Sequence, residues 1–107
     1  INFVFNPESG IDPSNQFIVE LSEVDGSFYN PEIVFTSNPG EINMSPAAID
    51  FTLPTTTAGE GYKIRIKSSS PGATSTPSNS FAAYYKLQDS PFTINNLVKV
   101  IFNNTNL

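Results

Sequence analysis

Apolar and polar residues alternate one by one in short segments along most of this 107-residue chain. In the segment IDFTL, for example, Ile49, Phe51 and Leu53 alternate with Asp50 and Thr52. Successive side chains of a strand point to opposite faces, so a period of two predicts strands with one buried face. The pattern recurs in about seven segments, which are Ile1–Phe5, Phe17–Leu21, Ile33–Phe35, Ile49–Leu53, Tyr62–Ile66, Phe81–Leu87 and Phe92–Ile94.

Proline and glycine clusters such as NPESG, SNPGE and TTTAGEG separate these segments, and no apolar period of 3.6 residues is sustained. The chain is therefore expected to contain no helix. Asp25-Gly26 is typical of a tight turn, and Pro54 is expected to end a strand because proline cannot donate to a ladder. Short strands with regular turns predict an all-β fold, an antiparallel β-sandwich of immunoglobulin-like type with about seven strands.

One face of these strands is expected to form the core. Its predicted members are Phe17, Val19, Leu21, Phe35, Phe51, Leu53, Tyr62, Ile64 and Ile66. Residues 1–96 are interpreted as one domain, and residues 97–107, which begin with the apolar run LVKVIF, as a linker or the start of the next domain. Residues 68–80 are rich in Ser, Thr and Pro, and so long a loop is expected to be functional or mobile.

Several segments resemble immunoglobulin-like or fibronectin-like modules of large type IX-secreted surface adhesins of gliding bacteria, the gliding-motility adhesin family. The resemblance spans most of residues 1–96. It rests on the FxVxLS-like strand of Phe17, Val19, Leu21 and Ser22, the DGSF turn from Asp25 to Phe28, the block from Thr52 to Pro71, and the FTIN of Phe92 to Asn95. It implies an extracellular, cell-surface location, a multidomain parent and a spacer or display role, with no catalytic residue to carry over.

The composition excludes several classes of function. The chain has no histidine and no cysteine, which removes Ser-His-Asp and Cys-His catalysis and the usual zinc ligands. Its net charge of −5 argues against nucleic acid as a partner, since phosphate binding needs a basic face. No apolar run is long enough to insert in a membrane. An enzyme is therefore disfavoured.

Calcium is the one metal that the sequence suggests, because acidic loops supply the oxygen ligands that a hard cation needs. The candidate ligands are Glu8 and Asp12 in one loop and Glu23 and Asp25 in another, and Asp89 lies in a late loop. None of these loops matches a calcium-loop motif. The simpler interpretation, which we favour, is that Asp12 and Asp25 are turn residues whose side chains accept bonds from nearby amides.

A basic stripe, formed by Lys63, Arg65 and Lys67, carries three of the five cationic side chains. These residues alternate with Tyr62, Ile64 and Ile66, so they are expected to point outward. We favour cross-strand ion pairs with outward acids, for which Glu20, Glu32 and Asp50 are the candidates. The alternative is a polyanion or glycan site that uses the stripe together with an exposed aromatic, Tyr84.

Two functions remain after these exclusions. The first is a non-catalytic structural or display module of a secreted bacterial adhesin involved in surface attachment or gliding, with neighbouring domains of the same chain as its partners. The second is a carbohydrate-binding module that recognises a surface polysaccharide through the stripe and the 68–80 loop. In either case the isolated domain is expected to be a monomer.

Overall fold

The computed structural model describes residues 1–6, 11–85 and 98–101, and it is all-β, with no α-helix in those ranges. The described ranges contain nine strands, where the alternation of the whole chain predicts about seven. They are β1 (Asn2–Asn6), β2 (Phe17–Leu21), β3 (Glu32–Thr36), β4 (Ala47–Ala48), β5 (Ala58–Tyr62), β6 (Ile64–Ser69), β7 (Gly72–Thr74), β8 (Phe81–Tyr84) and β9 (Val98–Ile101). Within these ranges, no helix is long and apolar enough to cross a membrane.

The strands form three hydrogen-bonded sheets. The largest has the order β3-β2-β6-β7 and is antiparallel throughout. A second has the order β4-β1-β9, in which β1 pairs antiparallel with β4 and parallel with β9. The third is the antiparallel pair β5-β8. The fold is thus β-sandwich-like, and most of its pairs are antiparallel, as the turn-rich sequence predicts.

The core lies between the first two sheets, and the β5-β8 pair contributes Tyr62 and Ala83 to it. Phe3 and Phe5 of β1 and Phe17 of β2 are buried, and the Phe17 ring centroid is 5.1 Å from each of the other two. Aromatic pairs at such distances add to the free energy gained by burying their apolar area. The three rings therefore join the sheet of β1 to the sheet of β2.

Most of the predicted core is confirmed. The buried members are Phe17, Val19, Leu21, Leu53, Tyr62, Ile64 and Ile66, and the core also includes Phe3, Phe5, Ile49, Ala73 and Ala83. Phe35 and Phe51 are partly buried and pack against this cluster.

Two strand predictions are wrong in detail. Ile49 and Leu53 are buried, but the segment 49–53 is not a strand. Alternation predicts which side chains are buried, and it does not show whether a partner strand is present. Tyr62–Ile66 is not one strand either. It is divided at Lys63 between β5, which pairs with β8, and β6, which pairs with β2.

Of the last two predicted segments, one lies partly and the other wholly outside the described residues. The undescribed part includes residues 86 and 87 of the segment that begins at Phe81, and all of Phe92–Ile94. It also includes the predicted domain boundary at residue 96. Val98–Ile101, expected to be in a linker or a further domain, form β9 and pair with β1.

Within the part of the chain that the structure describes, a reciprocal serine pair closes the strand ladders at five places. In each, the serine N–H donates to the carbonyl of a residue on a neighbouring segment, and the N–H of that residue donates to the serine Oγ. The pairs are Ser22 with Lys63, Ser37 with Phe17, Ser69 with Gln16, Ser75 with Ile66, and Ser78 with Ile64. Each hydroxyl replaces the carbonyl acceptor that a regular antiparallel partner would supply.

Two of these pairs order much of the serine-rich segment 68–80. After β7, Ser75 and Ser78 are buried and bind two of the inward residues of β6, Ile66 and Ile64. Their hydroxyls also donate to the carbonyls of Thr76 and Asn79. The segment after β7 therefore continues the edge of the main sheet through these bonds to β6, although it is not a regular strand.

Candidate functional site

The basic stripe lies where the sequence predicts it, on the outward face of β6. Ile64 and Ile66 are fully buried, whereas Arg65 and Lys67 between and after them are half-buried. Lys63 precedes the strand, at the break between β5 and β6. The alternation of β6 thus places its cations on the face opposite the core.

Arg65 is held by two neighbours. Its Nε donates to Glu20 Oε1 at 2.6 Å, and β2 and β6 pair these two residues directly. The guanidinium carbon lies 4.4 Å from the centre of the Phe28 ring, which is within range of a cation–π contact. Glu20 is 7% exposed although it points away from the core. Arg65 therefore supplies the charge that a nearly buried carboxylate needs.

The other two cations of the stripe are different. In the described part of the chain, neither Lys63 nor Lys67 has a carboxylate within 4.0 Å. The register places Lys67 between Ile18 of β2 and Thr74 of β7, and the Lys63 stem runs beside the Gly26 turn. The predicted ladder is thus confirmed at Arg65 alone. Glu32 and Asp50 are exposed and form no ion pair with the stripe.

Tyr84 is not part of this face. It lies on β8, in the β5-β8 sheet, and its hydroxyl donates to Glu60 Oε2 at 3.0 Å. This bond raises the pKa of Tyr84, because it stabilises the protonated hydroxyl. The aromatic ring that touches the stripe is that of Phe28, a contact that the alternation of the sequence does not predict.

Two exposed apolar residues lie close to the Arg65–Glu20 ion pair, one next to Phe28 in the sequence and one opposite Glu20 in the sheet. Tyr29, next to Phe28, is 86% exposed, and Ile33 of β3, opposite Glu20, is 61% exposed. The exposure of Ile33 follows from a bulge in the β2–β3 pairing. Phe35 opposes the inward Val19, and the next residue of β2 opposes Ile33. One extra residue on β3 turns Ile33 outward, where strict alternation predicts it to face inward.

The candidate calcium ligands do not share one site. Asp12 precedes β2 and donates its N–H to Ser70 O after β6, whereas Asp25 follows β2 in the turn beside Gly61 before β6. The two loops lie at opposite ends of the β2–β6 pair. Glu8 and Asp89 are outside the described residues. Among those described, no three acidic side chains form a group that could hold a metal ion.

Both aspartates have the geometry of turn residues. Asp12 Oδ1 accepts bonds from the N–H and the hydroxyl of Ser14, and Asp25 Oδ1 accepts one from the Ser27 N–H. Gly26 has φ of +88°, a conformation that glycine adopts without strain, and its N–H donates to Glu23 O. The Asp25-Gly26 turn predicted from sequence is confirmed.

The Ser14 hydroxyl and amide bonds lower the pKa of Asp12. We expect Ser14→Ala to raise this pKa toward its ordinary value, because the hydroxyl bond is the largest cause of the shift. A carboxyl whose folded-state pKa is depressed contributes stability above its unfolded-state pKa and loses it as the pH falls through the folded value. NMR titration of the Asp12 carboxyl in both proteins measures the effect.

An equal Asp12 pKa in the two proteins would contradict this assignment. Repeating the titration with millimolar calcium adds a second readout. A further fall in the pKa of Asp12 would support an ion at this loop, since a bound cation favours the ionised carboxylate.

We expect Arg65→Gln to lower the free energy of unfolding by about 1–3 kcal/mol, because Glu20 would keep its burial and lose a charged hydrogen-bond partner. Urea titration measures the change. Lys63→Gln and Lys67→Gln are the matched controls, and each should stay within about 0.5 kcal/mol of the wild type. Equal effects at all three positions would show that the ion pair contributes nothing specific.

Comparisons with protein-family models, with curated proteins and with solved structures found no match to this chain.

Proposed function

We propose that this domain is a non-catalytic structural module that spaces or displays other domains of a secreted, multidomain bacterial cell-surface adhesin. One observation carries the proposal. Arg65, the central cation of the stripe, is bound by two residues of the same domain, Glu20 and Phe28. The turn aspartates, Asp12 and Asp25, likewise bond to their own loops. The best candidates for chemistry are thus used to hold the fold.

We propose further that the sandwich is immunoglobulin-like. Two features support this arrangement. Rings from β1 and β2 pack against each other between two sheets, and the first described strand runs parallel to the last. The resemblance of most of residues 1–96 to adhesin modules supports the same topology, and with it an extracellular location at the surface of a gliding bacterium. Function is argued from the site and not from the fold, which many unrelated proteins share.

The proposal is tested by exchange in the parent protein. Residues 1–107 are replaced by an unrelated β-sandwich of similar length, and surface display is checked with an antibody to another part of the parent. We expect attachment and gliding to be unchanged, because a spacer acts through its length and stability. Loss of attachment by a displayed chimaera would refute the structural role.

A carbohydrate-binding module is the second candidate, and a specific observation favours it. Lys63 and Lys67 have no acidic partner among the described residues, and Tyr29 beside Phe28 is almost fully exposed. An exposed tyrosine offers a flat apolar face with a polar tip, and two cations with no acidic partner among the described residues would attract an acidic polysaccharide.

The second candidate is tested by retention on immobilised acidic polysaccharide. The triple variant Tyr29→Ala, Lys63→Gln, Lys67→Gln should lose a retention that falls with added salt. Tyr85→Ala is the matched control, because Tyr85 is also an exposed tyrosine but follows β8, in another sheet. No retention of the wild type would remove this candidate and leave the structural role.

A further inference from the structure

The parallel pairing of β1 with β9 determines how the domain would respond to tension along its chain. Four residue pairs define the register, from Phe3 opposite Val98 to Asn6 opposite Ile101. Tension enters β1 at its amino end and leaves β9 at its carboxyl end. Because the strands point the same way, those ends lie at opposite ends of the ladder. The two strands are therefore pulled in opposite directions along their common axis.

The backbone of β1 is divided between its two neighbours. Ile1 exchanges backbone hydrogen bonds with Ile49, and the Phe5 N–H donates to Ser45 Oγ. The backbone N–H and C=O groups of the odd-numbered residues therefore point toward the β4 side. Backbone groups of successive strand residues point to opposite edges. The backbone groups of Asn2, Val4 and Asn6 therefore point toward β9, and their hydrogen bonds to β9 would bear the load together.

Side chains couple this ladder to the core. Phe3 and Phe5 are 0% and 3% exposed, and both pack on Phe17 of the facing sheet. Sliding β1 toward its amino end would withdraw both rings from the core while the bonds to β9 break. Apolar burial and backbone bonding thus resist the same displacement.

We propose that the β1–β9 ladder is a load-bearing device, which lets this domain stay folded when its parent chain is under tension between a cell and a surface. The inference rests on the proposed function, since a spacer in a surface adhesin transmits force. It also goes beyond that function, because it assigns the resistance to one strand pair and to one direction of pulling.

The test compares two pulling directions on the same protein by single-molecule force spectroscopy at one loading rate. In the first, handles are attached to the two chain termini, which shears β1 against β9. In the second, one handle stays at the amino terminus and the other is attached at Thr52→Cys. The chain has no cysteine of its own, and Thr52 is exposed, so the new thiol is a unique attachment point.

The second direction unzips the same region. Ile1 and Ile49 are hydrogen-bonded to each other, so pulling between residues 1 and 52 opens β1 from its amino end, one bond at a time. We expect the mean unfolding force between the termini to be roughly twofold higher or more, because several ladder bonds then share the load. The Thr52→Cys protein pulled through its termini is the matched control and should behave as the wild type.

Equal forces in the two directions, or a lower force between the termini, would overturn the proposal. This result is independent of the exchange experiment. A domain that fails the exchange by binding a ligand can still show the direction dependence. A domain that passes the exchange without direction dependence is a spacer with no load-bearing ladder.

Discussion

Replacing Phe17 with alanine is expected to lower the free energy of unfolding by about 3–5 kcal/mol, the range for an aromatic removed from a well-packed core. Phe17 is fully buried and contacts the rings of Phe3 and Phe5 across the two main sheets. Its removal would leave a cavity at the point where the sheets meet. Urea titration with an unchanged slope would show that stability, and not the folded state itself, has changed.

Tyr29→Ala is the matched control, since it deletes another aromatic ring, one that is almost fully exposed. Its effect should stay within about 0.5 kcal/mol of the wild type. If Phe17→Ala cost no more than this control, the contact between the two sheets would not be the centre of the core.

Alternation predicted the core well because it reports the property on which burial depends. Phe17, Val19 and Leu21 share one side of β2 and are all buried. Ile64 and Ile66 repeat the pattern on β6, its partner. The alternation of neighbouring residues therefore predicts which side of a strand faces the core, and a single sequence is enough for this prediction.

Pairing between distant segments was not accessible in this way. Nothing local to Lys63 shows that the chain leaves the sheet of β8 there and joins the sheet of β2. The bulge that turns Ile33 outward is equally hidden, because it depends on how β3 aligns with Val19 and Glu20. Register is a property of two segments, and a pattern within one segment does not determine it.

The candidate site likewise has features that local alternation predicts and features that it does not. The sequence predicted that outward cations of β6 would meet outward acids, and Arg65 meets Glu20 because the two are directly opposed. It did not predict the Phe28 ring over Arg65 or the exposed Tyr29. Both belong to the long connection between β2 and β3, whose path is set by turns and close contacts and has no periodic signal.

The serine pairs are the clearest case of a structural role that composition conceals. A serine that accepts a bond from a strand cannot be told in sequence from one that is solvated. The composition of residues 68–80 therefore predicts a functional or mobile loop. Ser75 and Ser78 are instead buried against β6. The spacing of three lets both reach alternate residues of one strand, and this is the signal that could have identified them.

The double substitution Ser75→Ala, Ser78→Ala is therefore expected to destabilise the domain by about 2–6 kcal/mol. Each alanine leaves a buried strand N–H, of Ile66 or Ile64, without its hydroxyl acceptor, at about 1–3 kcal/mol per group. Thermal and urea unfolding measure the total. The single variants show whether the two effects add, as they would if each pair closed its own part of the ladder.

Ser80→Ala is the matched control, because Ser80 ends the same segment but is exposed. It should stay within about 0.5 kcal/mol of the wild type. Hydrogen exchange then separates a structural role from a general loss of stability. In the double variant, the amides of Ile64 and Ile66 should exchange faster than that of Val19 by more than the change in global stability explains, since Val19 lies on β2, one strand further from both serines than β6. Uniform acceleration of all three amides would mean that the serines stabilise the fold without closing this edge.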